Sequence, residues 1–139
     1  MKNAKQLVKE FYEVIFSQGL TERVGDYITT DATMRVGETV HPMGVDGMKA
    51  HIQAVRATYP DFAMQVTRQY CDGDYVISEV IATGTHLGEF MGIVPTGKVL
   101  EFTGVDIDKV VDGKICEHSG AINTFETLMA AGAIVGVSV

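Results

Sequence analysis

The chain has 139 residues, 46% of them hydrophobic and 21% charged, with a net charge of −7. That length and balance predict one globular domain over residues 1–139 with a core of its own. The acidity leaves no basic patch to neutralise phosphates or hold an anionic bilayer, so nucleic acid and membrane are set aside as partners.

Met1-Lys2-Asn3-Ala4 leads into an amphipathic pattern with no apolar signal stretch, and no run approaches the roughly 18 apolar residues of a bilayer span, which together point to the cytoplasm. Asn3 to Ser17 is predicted as a helix capped by Asn3, with Leu7, Val8, Phe11, Val14 and Ile15 on one stripe. Gly19 ends it, and a shorter helix opens at Leu20-Thr21 and runs to Ile28. Met34 to Val40 reads as an outer strand, and His41-Pro42-Met43-Gly44 as a loop. Asp46 caps a helix to Thr58 that buries Met48, Ile52 and Val55 and turns His51 to solvent; Tyr59-Pro60-Asp61 stops it.

From Phe62 the period changes to two: Phe62, Met64 and Val66 alternate with polar or small residues up to Cys71. Asp72-Gly73-Asp74 is a hairpin turn, Tyr75 to Thr85 a long strand, and Leu87 to Gly97 a connection rich in Gly and Pro. Val99 to Val111 is the next long strand; Asp112-Gly113 turns it, and Lys114 to Ile122 returns. Asn123-Thr124-Phe125-Glu126 reads as a capping box for a last helix that ends at Gly132. The apolar tail Ala133 to Val139 is either an added strand or part of a subunit contact. Cys71 and Cys116, both at strand positions, fit no metal-ligand spacing and read as buried free thiols.

Helices first and a long antiparallel meander after them give an α+β fold, with a curved sheet wrapped around the helices to form a cone with a pocket. The outer face of such a sheet needs cover, so a homodimer or higher homo-oligomer is expected.

The run from Thr83 to Gly120 carries the chemistry. Its strands put His86, Asp106, Asp108 and His118 on faces that would be apolar if they only packed a core. Val76, Ser78, Val80, Ala82 and Gly84 share one face, continued by His86; Leu100, Phe102, Gly104, Asp106 and Asp108 share another; Cys116, His118, Gly120 and Ile122 a third. Asp106 is the first choice for a functional acid. A carboxylate between Val105 and Ile107 is expensive to bury, and burial raises its pKa toward a value useful for proton abstraction. Its structural alternative is a pair with Arg35 or a backbone group. His118, on the neighbouring strand, is expected to face Asp106 across the ladder, where an Asp–His pair could shuttle a proton or orient a carbonyl. His86 either serves catalysis or stabilises a turn. Arg35 either meets an acidic substrate at the pocket mouth or balances Asp31 or Glu38. Val80 and Phe102 are expected to line the pocket, with Gly120 opening space in it. No metal motif, phosphate loop or nucleophile turn is present in the sequence, and no cofactor is called for.

Taken in order, Gly84-Thr85-His86, Gly88-Glu89-Phe90-Met91-Gly92-Ile93, Pro95-Thr96-Gly97, Phe102-Thr103-Gly104-Val105-Asp106-Ile107, Asp112-Gly113-Lys114-Ile115 and Glu117-His118 resemble the SnoaL-like polyketide cyclases of the NTF2-like superfamily. Phe11-Tyr12-Glu13 and Tyr59-Pro60-Asp61 extend the resemblance over nearly the whole chain. It implies the cone fold, a small apolar ligand, and a tyrosine at Tyr12 turned toward that ligand. It also implies aldol ring closure, with a carboxylate near the end of the last long strand in a Glu-His-Trp-Asp-like signature. Here that run is Glu117-His118-Ser119-Gly120, so Gly120 stands at the acid's place, and Asn123 at that of a second family acid. Two readings follow: a cofactor-independent enzyme in which Asp106 substitutes for the family acid, or a ligand-binding domain with the same cone and no chemistry. An interaction protein with a filled core is a third.

Overall fold

Asn3 opens the first helix in the computed structural model, which describes residues 2–138. Its side chain accepts from the Gln6 amide at 2.9 Å, and its own amide donates to Gln6 Oε1 at 3.2 Å. Helix α1 (Ala4–Glu10) passes directly into a π-helical turn, Phe11–Phe16, so the expected helix is continuous but changes geometry at Phe11. The wider turn buries Phe11, Tyr12, Ile15 and Phe16 together. Ser17 secures it: its hydroxyl donates to the Tyr12 carbonyl at 2.7 Å and accepts from the Met64 amide at 2.8 Å.

Several boundaries differ from the sequence-based expectation. Thr21–Asp26 is a 3₁₀ segment and not an α-helix, and Ile28 already belongs to a strand. The single strand expected from Met34 to Val40 is a hairpin of β1 (Ile28–Val36) and β2 (Thr39–Pro42), because Gly37 adopts a φ of 60° and turns the chain. His41 therefore lies in β2 and not in a loop. Helix α2 (Gly44–Thr58) starts ahead of Asp46, which sits in the first turn near the positive end of the helix dipole.

Strands β3 (Ala63–Asp72), β4 (Tyr75–Thr85), β5 (Val99–Val111) and β6 (Lys114–Ile122) follow the expected meander, and α3 (Phe125–Ala130) closes it. The six strands form one sheet in the order β2-β1-β6-β5-β4-β3, antiparallel except for β1 against β6. The sheet is curved, and α1, the π turn and α2 pack on its inner side. Buried residues alternate along β4 through Val76, Ser78, Val80, Ala82 and Gly84, the inner face expected from the period of two.

Three further expectations change. Cys71 is exposed and Cys116 half-buried: β3 is an edge strand whose register shifts between Val66 and Arg68, and beyond that shift it leaves the core. The capping box at α3 is not formed, since Thr124 makes no side-chain cap bond and the Asn123 amide donates instead to Glu126 Oε2 at 3.3 Å. The described part of the tail is not a strand; Ala133 and Ile134 pack on the core, while Val135 and Val137 are exposed.

Register sets the site. Between β5 and β6 the pairing shifts by one residue: Val110 faces Ile115, but Lys109 faces Glu117, leaving Cys116 as a bulge. Asp108 is then opposite His118, and Asp106 opposite Gly120. On its other side Asp106 faces Ser78 of β4.

Candidate functional site

The inner face of the sheet, the π turn and α2 enclose a cavity of about 340 Å³. Its walls are apolar and aromatic, with Phe16, Tyr59, Phe62 and Phe102 prominent. Its rim comes from the connection between β4 and β5, through Phe90, Met91 and Ile93, and from Ile122 and Leu128. Among the described residues no Lys or Arg lines it. Polar side chains concentrate where Tyr12, Asp106 and His118 meet.

Asp106 is 6% exposed, and its Oδ2 is buried with no hydrogen-bond partner. The cross-strand neighbours explain this. Gly120 has no side chain to offer, and the Ser78 hydroxyl, which meets Gln69 Nε2 at 3.2 Å, makes no bond to Asp106. Burial, together with the neighbouring Asp108 charge, pushes the Asp106 carboxyl up to about 7, against a smaller opposing pull from His118.

Asp108, two residues along the same face, is in the opposite situation. It is 1% exposed, accepts from the Tyr12 hydroxyl at 2.6 Å, and meets His118 Nδ1 at 2.8 Å. Burial by itself lowers the pKa of the His118 imidazolium. The hydrogen bond to Asp108 and the charges of Asp108 and Asp106 outweigh it, and the net shift is upward. Tyr12 is pushed well above the usual phenol range by burial and by the two carboxylates. His118 thus faces Asp108 and not Asp106, as the bulge requires. Tyr12 lines the cavity with its ring while its hydroxyl is turned onto Asp108.

A SnoaL-like polyketide cyclase profile matches residues 6–130. The chain belongs to the SnoaL-like polyketide cyclase family. It is 32% identical over 111 residues to nogalonic acid methyl ester cyclase from Streptomyces nogalater, covering 74% of this chain and 78% of that one. The solved structure of IdmH, a proposed polyketide cyclase from Streptomyces antibioticus, superposes with a TM-score of 0.79 at 28% identity, over 96% of this chain and 100% of that one. AclR from Streptomyces galilaeus, a proposed hydroxylase, shares the fold with a TM-score of 0.81 at 24% identity, over 94% and 96% of the two chains.

Within this SnoaL-like cone the sequence-predicted residues separate. Tyr12, Phe102, Asp106 and His118 meet at the cavity; Arg35, His86, Val80 and Gly120 do not line it. Arg35 lies on the outer face: its partner at 3.5 Å is Glu117, whose neighbour His118 points inward. It balances neither Asp31 nor Glu38, and it does not pair with Asp106. Val80 is buried in the core, paired across the ladder with Val66 and Gly104.

His86 is 1% exposed and works as the clasp of the β4–β5 connection. Its Nδ1 accepts from the Thr96 amide at 3.2 Å, its backbone bonds Lys98 and Gly97, and its ring backs Tyr59 at 5.6 Å. His86→Ala is expected to cost about 2–4 kcal/mol in urea unfolding, from the lost buried bond and packing.

Gly120 is fixed by its backbone and not by a need for space in the pocket. Its φ is +140°, and a Cβ there would lie 2.3 Å from the Val105 carbonyl oxygen.

His51 is exposed, as its place on the helix predicts, and it also borders the cavity mouth. Its ring stands edge-on to Phe16 at 5.6 Å, and partial desolvation there, followed by the His118 charge, lowers its pKa. The signal was present in the sequence, since position 51 follows Met48 by three, one turn along the buried stripe. Phe90 and Met91 were hidden in a connection with no period to read. Both are exposed at the rim. Phe90→Ala should therefore leave stability within about 0.5 kcal/mol and weaken an apolar ligand roughly tenfold, which paired urea and binding titrations would read.

Proposed function

We propose that this SnoaL-like protein is an enzyme that moves a proton at the carbon beside a carbonyl of a small, apolar, polyketide-like compound, and so cyclises, isomerises or hydrates it. Asp106 is the acid/base and His118 polarises the carbonyl. The reading calls for the chain's own side chains and no cofactor. The observation that carries it is the unpartnered, buried Oδ2 of Asp106 in an apolar cavity. A desolvated carboxyl whose pKa is about 7 is half ionised at neutral pH, where a general base is most effective. In an aldol closure the Asp106 carboxylate takes the α proton. The enolate carbon then attacks a second carbonyl, and the new alkoxide takes a proton from His118. The Streptomyces nogalater relative is named for cyclising a methyl ester. A cavity wall without Lys or Arg favours such a neutral substrate over a free acid.

The second reading, a ligand-binding domain with no chemistry, draws on Ser119-Gly120 standing where the resemblance puts a tryptophan and an acid. Deuterium uptake separates the two. In D₂O the protein should exchange the α protons of a fused-ring ketone such as 2-tetralone faster than buffer does, and Asp106→Asn should not. Equal exchange by both proteins would favour the binding domain. The exchange rate should rise with pH as Asp106 ionises near 7, and fall again as His118 loses its proton above its ordinary range. The two apparent values belong to the coupled pair.

A further inference from the structure

We infer that Asp108 is the positioning residue of the site: it holds His118 with Nδ1 turned into the sheet and Nε2 turned to the cavity. An ionised carboxylate only accepts hydrogen bonds, so each atom within reach of it must donate. Oδ2 takes the Tyr12 hydroxyl proton at 2.6 Å, and Oδ1 takes that of His118 Nδ1 at 2.8 Å. Both oxygens are occupied, and the group is 1% exposed. Tyr12 and Nδ1 are 3.2 Å apart because both converge on one acceptor.

The consequence is a fixed tautomer. A free imidazole can carry its proton on either nitrogen; here the neutral ring keeps it on Nδ1 and offers the Nε2 lone pair to the cavity. The protonated ring offers Nε2–H at the same point. Tyr12, as second donor, fixes the carboxylate plane and thereby the ring. The two acids of β5 thus divide the work. Asp108 is fully bonded and orients; Asp106, opposite a glycine, is unbonded and free to exchange a proton. The groups facing His118 are Asp106 and Asp108 from β5, Tyr12 from the π turn and His51 from α2. Asp106 therefore needs its own control.

The inference rests on the proposed proton-transfer reading only for its kinetic consequence, and its primary test needs no substrate. Nitrogen-15 NMR of the histidine side chains, followed with pH, reads both the tautomer and the titration of His118. In the unaltered protein the neutral ring should be protonated at Nδ1. In Asp108→Asn the side-chain amide donates to Nδ1, so the proton should move to Nε2 and the titration should fall by at least about one pH unit. Asp106→Asn and Tyr12→Phe should each keep the Nδ1 tautomer. A neutral His118 protonated at Nε2 in the unaltered protein overturns the inference, as does an unchanged tautomer and titration in Asp108→Asn. If Asp108→Asn does not fold, the unaltered protein's tautomer decides alone. Kinetically, Asp108→Asn should lower exchange turnover roughly 10²-fold with little change in KM, and move the falling limb of the pH profile to lower pH. Should Asp106→Asn retain exchange while His118 shows the Nδ1 tautomer, the proton-transfer reading fails and the positioning of His118 stands.

Discussion

Asp106→Asn should make the protein more stable and less active at once. The activity loss follows from removing the proposed base and is expected at roughly 10²–10⁴-fold in α-proton exchange. The stability gain follows from linkage. The Asp106 carboxyl has a pKa of about 7 in the folded state against an ordinary 3.8. Below about pH 4 it is protonated in both states and imposes no penalty. Between those two values the unfolded chain ionises while the folded chain holds its proton, so stability falls as pH rises. Above 7 both are ionised and the full penalty, on the order of 4 kcal/mol, is present. His118 acts in the same direction by a different route: its folded pKa is raised, so its contribution is whole at low pH and lost as pH rises through that value. Urea unfolding at pH 5 and pH 8 should therefore show the unaltered protein losing stability over that interval, and Asp106→Asn losing much less. Parallel pH dependence in the two proteins would mean that Asp106 ionises normally, and the reading of it as a desolvated acid would be lost. A variant that gains stability as it loses turnover also argues against general damage as the cause of inactivity.

Gly120→Asp should not restore the acid that the family resemblance places there; it should break the sheet. At a φ of +140° an L-residue is strained, and the added Cβ would lie 2.3 Å from the Val105 carbonyl oxygen and 2.9 Å from the Asp106 Cα. Both are backbone atoms in a paired strand, so neither can move aside cheaply. A loss of at least about 3 kcal/mol is expected, with no gain in exchange activity. Gly120→Ala supplies the same Cβ without the charge and should lose nearly as much. An alanine variant with an unchanged urea midpoint would show that the backbone there relaxes, and would reopen position 120 to a side chain. Gly120 and Asp106 are cross-strand partners. The glycine offers Asp106 no side-chain partner across the ladder.

The cap of the first helix and the strand faces are legible because they depend on neighbours in sequence. Asn3 caps as its capping pattern predicts, Asp112-Gly113 turns as expected, and Phe102, Asp106 and Asp108 share the inner face of β5. The errors fall where distant contacts override a local pattern. The apolar residues Val36 and Val40 predict one strand, but Gly37, at a φ of 60°, turns the chain between them. The strand position of Cys71 predicts burial, but a bulge in an edge strand carries it out of the core. Arg35, which its strand position leaves open to a substrate or to Asp31 or Glu38, pairs instead with Glu117 because β1 lies parallel to β6.

The sequence by itself determined the family, the meander and which residues of each strand share a face, since a period of two needs only the strand. It could not determine which acid meets His118. Parity within a strand says nothing about the offset between strands. An unbroken hairpin from the Asp112-Gly113 turn would set His118 opposite Ile107, on the outer face. The bulge at Cys116 adds one residue to β6, brings His118 inward opposite Asp108, and leaves Asp106 opposite a glycine. One residue of register, decided only when the sheet closes over its core, separates a bonded carboxylate from an unpartnered one.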